Sequence, residues 1–331
     1  MDFHAEFFPK AFNKKIAHSD KLLLIGSCFT EQIGSKLAAH KFNIIQNPNG
    51  ILFNPVSISH ALSSYVSEKK YAEKDLFYHN ELWSSWQHHS RFSGMDQEQV
   101  LAHINSSQEI ATRFLIESDW LLITLGSAFV YENVTGSPEN VYENVVANCH
   151  KIPPDKFNRR LLDIEEVKKV LDTMIKKIAN FNPKLNVIFT ISPVRHLREG
   201  FIENNRSKAA LIQAVHSLVN DRNIFYFPAY ELVIDDLRDY RFYAEDMVHP
   251  NYTATNYVWE KFLPTCIDER SIEIMKEIAV INAAVNHKPF NPGSEQHKKF
   301  KDSHLKKISA LMQKHHYLQF EKEIAFLSMG A

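Results

Sequence analysis

Four apolar runs of strand length, each followed by a segment with helical spacing, constrain this chain more than any other feature. They are residues 21–25 (KLLLI), 120–125 (WLLITL), 186–192 (NVIFTIS) and 224–227 (IFYF), with a further short run at 42–46. A run apolar at every position, rather than at every second one, suits a strand buried on both faces, as in a parallel sheet. Between the runs, apolar residues recur at 3.6-residue spacing: Ile58, Ala61, Leu62 and Tyr65 over 56–66, Val100, Ile104 and Ala111 over 97–116, and Val167, Leu171 and Ile178 over 164–181. Further helices are read from about 30, with Thr30 as a possible N-cap, to 40, from 207 to 220 and from 252 to 262, the last stopping before Pro264. Strands and helices alternating in this way predict an α/β fold, a three-layer sandwich with a mainly parallel sheet.

The first run ends in a sharp corner, LLLIGSCFTEQIGSKL over residues 22–37. A strand that stops at Gly26 and turns into a helix leaves a side chain exposed at the strand's carboxyl end. There it stands beside the N–H groups and positive dipole end of the next helix. Open α/β sheets bind ligands at that end of their strands. The corner offers two nucleophiles, Ser27 and Cys28.

The rest of the chain is less regular. Residues 1–20 read as an extended lead-in, and 47–58 (NPNGILFNPVSI) as a loop dense in turn residues. A helical and aromatic insert spans about 57–117, with Trp83, Trp86, His88 and His89 in its middle. Residues 130–156 hold no long period, with a turn at 134–138 and a strand or hairpin arm at 141–150. After Asp268 the chain becomes helical and basic (KKFKDSHLKK at 298–307), broken into two segments at 290–294. The expected organisation is therefore an α/β domain over 1–267 and a C-terminal helical extension over 268–331.

Composition removes several function classes. Lys and Arg number 38 against 39 Asp and Glu, so no basic field argues for nucleic acid. No stretch of about 18 apolar residues suggests a membrane span, and the first residues lack a signal peptide's apolar core. Three widely spaced cysteines make neither a disulfide framework nor a cysteine metal site, and the expectation is a cytoplasmic chain with free thiols. The 17 histidines include no HExxH or HxH pattern, so no metal is expected. Without a glycine-rich phosphate loop, no cofactor is expected either.

Late in the chain, Asp246-Met-Val-His249-Pro-Asn places a carboxylate three residues before an imidazole, ahead of a helix. Such a carboxylate can reach Nδ1, fix the tautomer and leave Nε2 to act as a base. Taken with the corner, this arrangement resembles the SGNH/GDSL hydrolase superfamily. GSCF, followed by SPVRHLREG at 192–200 and LRDYRFYAEDMVHP at 237–250, resembles the GSCFA domain family more closely, over roughly residues 20–265. The resemblance implies an SGNH-hydrolase-like sheet and a hydrolase or acyltransferase. Its substrate is an ester or thioester, an acyl ester of a small molecule or glycan. Laid on the superfamily pattern without a gap, Cys28 takes the nucleophile's place, with Ser27 as second choice and His249 and Asp246 completing a triad.

An oxyanion hole needs further donors. The resemblance nominates Gly50, with Asn54 as a neighbour. In the third block, where the superfamily has Gly-x-Asn-Asp, this chain reads Gly126-Ser127-Ala128-Phe129, and Ala128 has no donor at the asparagine's place. Ser127, His88 and His89 are the possible substitutes. Arg195 and His196, just past the strand at 186–192, are placed near the same end, where Arg195 can take a substrate anion or pair with the acidic 231–246 stretch. The competing reading is a non-catalytic protein that keeps the fold and uses the cleft to bind a glycan or acyl chain.

Overall fold

The computed structural model of the protein describes residues 5–136 and 141–328. Five strands form one parallel sheet: β1 (Lys21–Gly26), β2 (Asn43–Gln46), β5 (Trp120–Leu125), β8 (Asn186–Ile191) and β9 (Ile224–Phe227), in the order β2-β1-β5-β8-β9. Every residue of β5 and β8 is buried, as their unbroken apolar runs require. Alternate side chains feed two cores. Leu23, Ile25, Leu121, Ile123 and Phe189 pack on one face against helices α2 (Pro55–Val66), α3 (Gln97–Glu117), α4 (Ile164–Phe181) and α5 (Phe201–His216). Leu22, Leu24, Trp120, Leu122 and Ile188 pack on the other against α1 (Cys28–Ala39), the short α6 (Ala229–Glu231) and α7 (Tyr252–Cys266). The result is an α/β fold with helices on both faces of a parallel sheet.

That strand order has one functional consequence. From β1 the chain steps outward to β2, then returns to the other side of β1 to enter β5 and continues to β8 and β9. Connections leaving β1 and β5 therefore diverge to opposite sides, and a crevice opens between the carboxyl ends of these two strands. It is the topological switch point at which such sheets bind ligands. Gly26-Ser27-Cys28 and Gly126-Ser127 follow directly from the two strands that form it.

Several elements differ from the sequence reading. The 141–150 segment is not a strand: Val141–Asn144 is a 3₁₀ turn, and Glu132 makes one isolated bridge to Val145. The hairpin in this region instead pairs β6 (Phe129–Asn133) with β7 (Phe157–Leu161), antiparallel. The turn read at 134–138 lies partly outside the described residues. Helix α5 starts at Phe201, after Gly200, and ends at His216, so its polar first half is helical rather than loop. Helix α7 runs through Pro264 to Cys266; a proline one turn from the end costs the ladder a single donor, and the freed end is tied down by other bonds. The Pro264 carbonyl accepts from Lys15 Nζ at 2.8 Å, and the Thr265 and Cys266 carbonyls accept from the N–H groups of Phe12 and Ile16.

The insert carries a small hairpin, β3 (Phe77–His79) with β4 (Leu82–Ser84), and several of its aromatic rings pack on one another. Trp86 stacks on Phe77 with centroids 3.9 Å apart, and His88 is buried against Tyr71 and Phe92. The C-terminal region is three helices, not two: α8 (Glu269–Asn286), α9 (Glu295–Lys314) and α10 (Glu321–Ser328) share a core of Ile274, Ile278, Ile308, Leu311, Phe320 and Leu327. A Lys41–Glu323 ion pair and a bond from Asn282 Nδ2 to the Ala39 carbonyl fasten them beneath α1. Among the described residues no helix is long and apolar enough to cross a membrane.

Candidate active site

The corner is built by backbone geometry first. Ser27, in extended conformation, caps α1: its Oγ accepts from Phe29 N–H at 3.3 Å and its carbonyl from Thr30 N–H at 2.9 Å. Its own N–H donates to the Thr124 carbonyl of β5 at 3.1 Å, so Ser27 is buried and committed to the turn. Cys28 opens the first helical turn and is only partly buried. Burial pushes its thiol pKa up. The N–H groups of Phe29 and Cys28 and the Lys208 ammonium pull it down, while Glu31 raises it. Glu31 is in turn held by Arg91 at 2.5 Å and by Asn47 Nδ2 at 3.2 Å, and Asn47 Oδ1 accepts from Gly26 N–H.

In the loop before α7, Asp246 and His249 meet as their spacing suggests. Asp246 Oδ2 lies 2.6 Å from His249 Nδ1, and Oδ1 accepts from the N–H groups of Val248 and His249 at 2.9 and 3.0 Å. Those bonds hold the Asp246 carboxyl at about 2, below its ordinary range. With a carboxylate at Nδ1, that nitrogen carries the proton and Nε2 keeps the lone pair. Capping of α7 falls to Asn251, whose Oδ1 accepts from Ala254 N–H, so Asp246 is left for the imidazole. The pair is about half exposed.

The loop after β8 joins the two sides. Arg195 N–H donates to the Val248 carbonyl at 3.1 Å, fixing that loop to the one bearing His249. The Arg195 guanidinium stacks on Tyr243 and Tyr240, at 4.1 and 4.9 Å from their centroids. His196 has its N–H bound by Asn204 Oδ1 and its ring against Phe53, while Nε2 is buried without a hydrogen-bond partner. Burial first, then Lys208 and His249, lower its pKa to about 3, so the ring is neutral.

The other expected donors are occupied within the fold. Gly50 N–H donates to the Asn47 carbonyl at 2.7 Å, and the N–H groups of Gly126 and Ser127 both donate to the Phe53 carbonyl. Ser127 Oγ accepts from Phe129 N–H and pairs with Ser207 Oγ. Asn54 is the N-cap of α2, accepting from Ser57 N–H at 2.8 Å; Asn54→Ala is expected to cost about 1 kcal/mol in urea unfolding. His88 is buried in the insert, its Nδ1 on Ser85, and His89 Nδ1 accepts from Arg91 N–H.

Sequence reasoning missed Lys208. This lysine on α5 is almost fully buried and its Nζ donates to the Gly126 and Ser192 carbonyls, both at 2.6 Å. Asn204, Ser207 and Lys208 share one face of α5 by their i, i+3, i+4 spacing. All three bond to the loops that follow β5 and β8. That polar stripe was the available signal. Among the described residues no cluster of three His, Cys, Asp or Glu could hold a metal ion.

The sequence model described as the GSCFA family matches residues 21–262, and that of the GSCFA domain protein, C-terminal domain, matches 278–328. No curated protein matches the chain. Among solved structures, it is similar to a carbohydrate esterase family 3 protein from Talaromyces cellulolyticus (9% identity, TM-score 0.36) and to a mutant acetyl esterase with acetate ion (11%, 0.36). Each alignment covers 78% of this chain and 99% of the other.

Proposed function

The chain belongs to the GSCFA family, and from that membership we propose that it is a hydrolase or acyltransferase acting on an ester or thioester. Cys28 is the nucleophile, His249 the base and Asp246 the residue that orients it. The observation that carries this reading is the 2.6 Å contact between Asp246 Oδ2 and His249 Nδ1, on a loop bound to the one after β8. It leaves Nε2 as a proton acceptor. Cys28, for its part, opens a helix at the switch point, whose N–H groups offset part of the burial that raises its thiol pKa.

In this mechanism His249 Nε2 takes the Cys28 thiol proton, and the sulfur adds to the acyl carbonyl. The tetrahedral oxyanion is met by the Cys28 N–H at the start of α1. Collapse expels the alkoxide or thiolate, which takes the proton back from the imidazolium and leaves an acyl-cysteine thioester. Water, or an acceptor hydroxyl, then repeats the sequence with the acyl group. An acyl ester of a small molecule or glycan is the substrate class that this chemistry takes.

A non-catalytic reading, in which the cleft binds a glycan or acyl chain, draws on one observation. The N–H groups of Gly50, Gly126 and Ser127 are all engaged inside the protein. Turnover of p-nitrophenyl esters and acyl thioesters separates the two readings. Cys28→Ala and His249→Ala are expected to lose about a thousandfold or more in kcat/KM, and Ser27→Ala to stay within about tenfold. Iodoacetamide is expected to label Cys28 and abolish turnover. Full activity in Cys28→Ala would sink the reading, and a parent that binds acyl glycans without turning them over would favour the alternative.

A further inference from the structure

A lysine buried without a carboxylate is costly, because its ammonium gives up water for very little. Lys208 has two carbonyl oxygens for partners, and among the described residues no carboxylate pairs with it. Those carbonyls belong to Gly126 and Ser192, the first residues past the carboxyl ends of β5 and β8. Its charge is therefore placed beneath the crevice by backbone atoms of the sheet itself. Two titratable side chains of the crevice respond to it, Cys28 from α1 and His196 from the loop after β8.

We propose that Lys208 is a positioning residue of this site: its buried ammonium, pinned between the ends of β5 and β8, stabilises the negative charge that develops on the Cys28 sulfur and opposes protonation of His196. The inference rests on Cys28 being the nucleophile. When the thiol gives its proton to His249, the charge that develops on sulfur favours the protonated form of Lys208, and the two charges stabilise each other. Glu31 acts on Cys28 in the opposite sense from within α1, and His249 reinforces Lys208 at His196. Burial lowers the Lys208 pKa to about 7 and the Cys28 thiolate raises it, so each charge stabilises the other.

Alkylation by iodoacetamide across pH 6–10, read peptide by peptide in a mass spectrometer, tests this without requiring turnover. Cys149, which responds to Arg198 rather than Lys208, is the internal control. In folded Lys208→Met the Cys28 rate at pH 7 is expected to fall about tenfold or more, its midpoint moving up by about a unit, with Cys149 unchanged. Lys208→Arg, still charged, is expected to keep most of the parent's rate. An unchanged Cys28 profile in folded Lys208→Met overturns the inference. Should that variant fail to fold, the reverse measurement decides: in Cys28→Ala, the buried lysine followed by ¹³Cε resonance is expected to titrate lower than in the parent, and no movement overturns the inference equally. A Lys208-dependent thiol in a protein that turns over no ester would defeat the acyl-transfer reading and leave the electrostatic one standing.

Discussion

Between pH 6.5 and 4 the protein is expected to lose most of its folding stability, and histidines, rather than carboxylates, are the reason. His88 and His196 are both held neutral with pKa values near 3, mainly by burial. His18, His60, His89 and His150 are shifted in the same direction by the same cause. In the unfolded chain each takes a proton near its ordinary 6.5. Below that pH the unfolded state binds protons that the native state refuses, so stability is complete above 6.5 and falls as pH drops toward the folded values. For His88 and His196 alone the slope approaches about 2.7 kcal/mol per pH unit, or about 4 kcal/mol for each histidine by pH 3.5. Domains hold only about 5–15 kcal/mol. Asp20 and Glu231, whose carboxyls are pushed up by burial, resist this loss by gaining protons more readily when folded, but they act at the lower end of the window. Urea midpoints at pH 7, 6, 5 and 4 measure the slope. A midpoint constant from pH 7 to 5 would contradict the account, and folded His88→Phe is expected to reduce the slope by about one proton.

The same histidines mark what a sequence can reveal. That 17 of them are present is plain, but which ones are buried depends on contacts made far along the chain. His88 meets Tyr71 and Phe92 inside the insert, and His196 is closed over by Phe53 from beyond β2. The parallel sheet was legible because full burial on both faces demands unbroken apolar runs, and β1, β5 and β8 have them. The β6–β7 hairpin was not, since its partners lie far apart in the chain and Phe157–Leu161 reads as FNRRL, without alternation. Arg160 in that strand is explained by Glu132 and Glu166, which only the fold brings to it at 2.7 and 2.6 Å. Asp246 with His249 could be proposed from three-residue spacing because the contact is local. Lys208 was passed over, because a lysine in a polar helix segment ordinarily faces water.

Gly26→Ala is expected to cost about 4 kcal/mol or more, and Gly34→Ala, eight residues later, almost nothing. Gly26 adopts φ +149°, and a Cβ there would lie 2.3 Å from the Thr124 carbonyl oxygen and 2.8 Å from the Thr124 nitrogen. Both atoms are backbone of β5, the strand paired with β1 at this residue, so relief requires the two central strands to part at the switch point. A Cβ on Gly34 would come closer still, 2.0 Å from Gln46 Oε1, but that atom is the end of an exposed, flexible side chain that swings aside. Alanine also favours the interior of α1 by up to about 1 kcal/mol over glycine, which offsets the small displacement. Urea unfolding of the two variants side by side is the measurement, and equal costs would contradict the argument. Parting β1 from β5 also moves Ser27, whose N–H is bonded to Thr124, and with it the start of α1. Any Gly26→Ala protein that folds is therefore expected to lose Cys28 alkylation selectivity over Cys149, whereas Gly34→Ala keeps it. The glycine is required by the closeness of two strands, and Cys28 inherits its position from that contact.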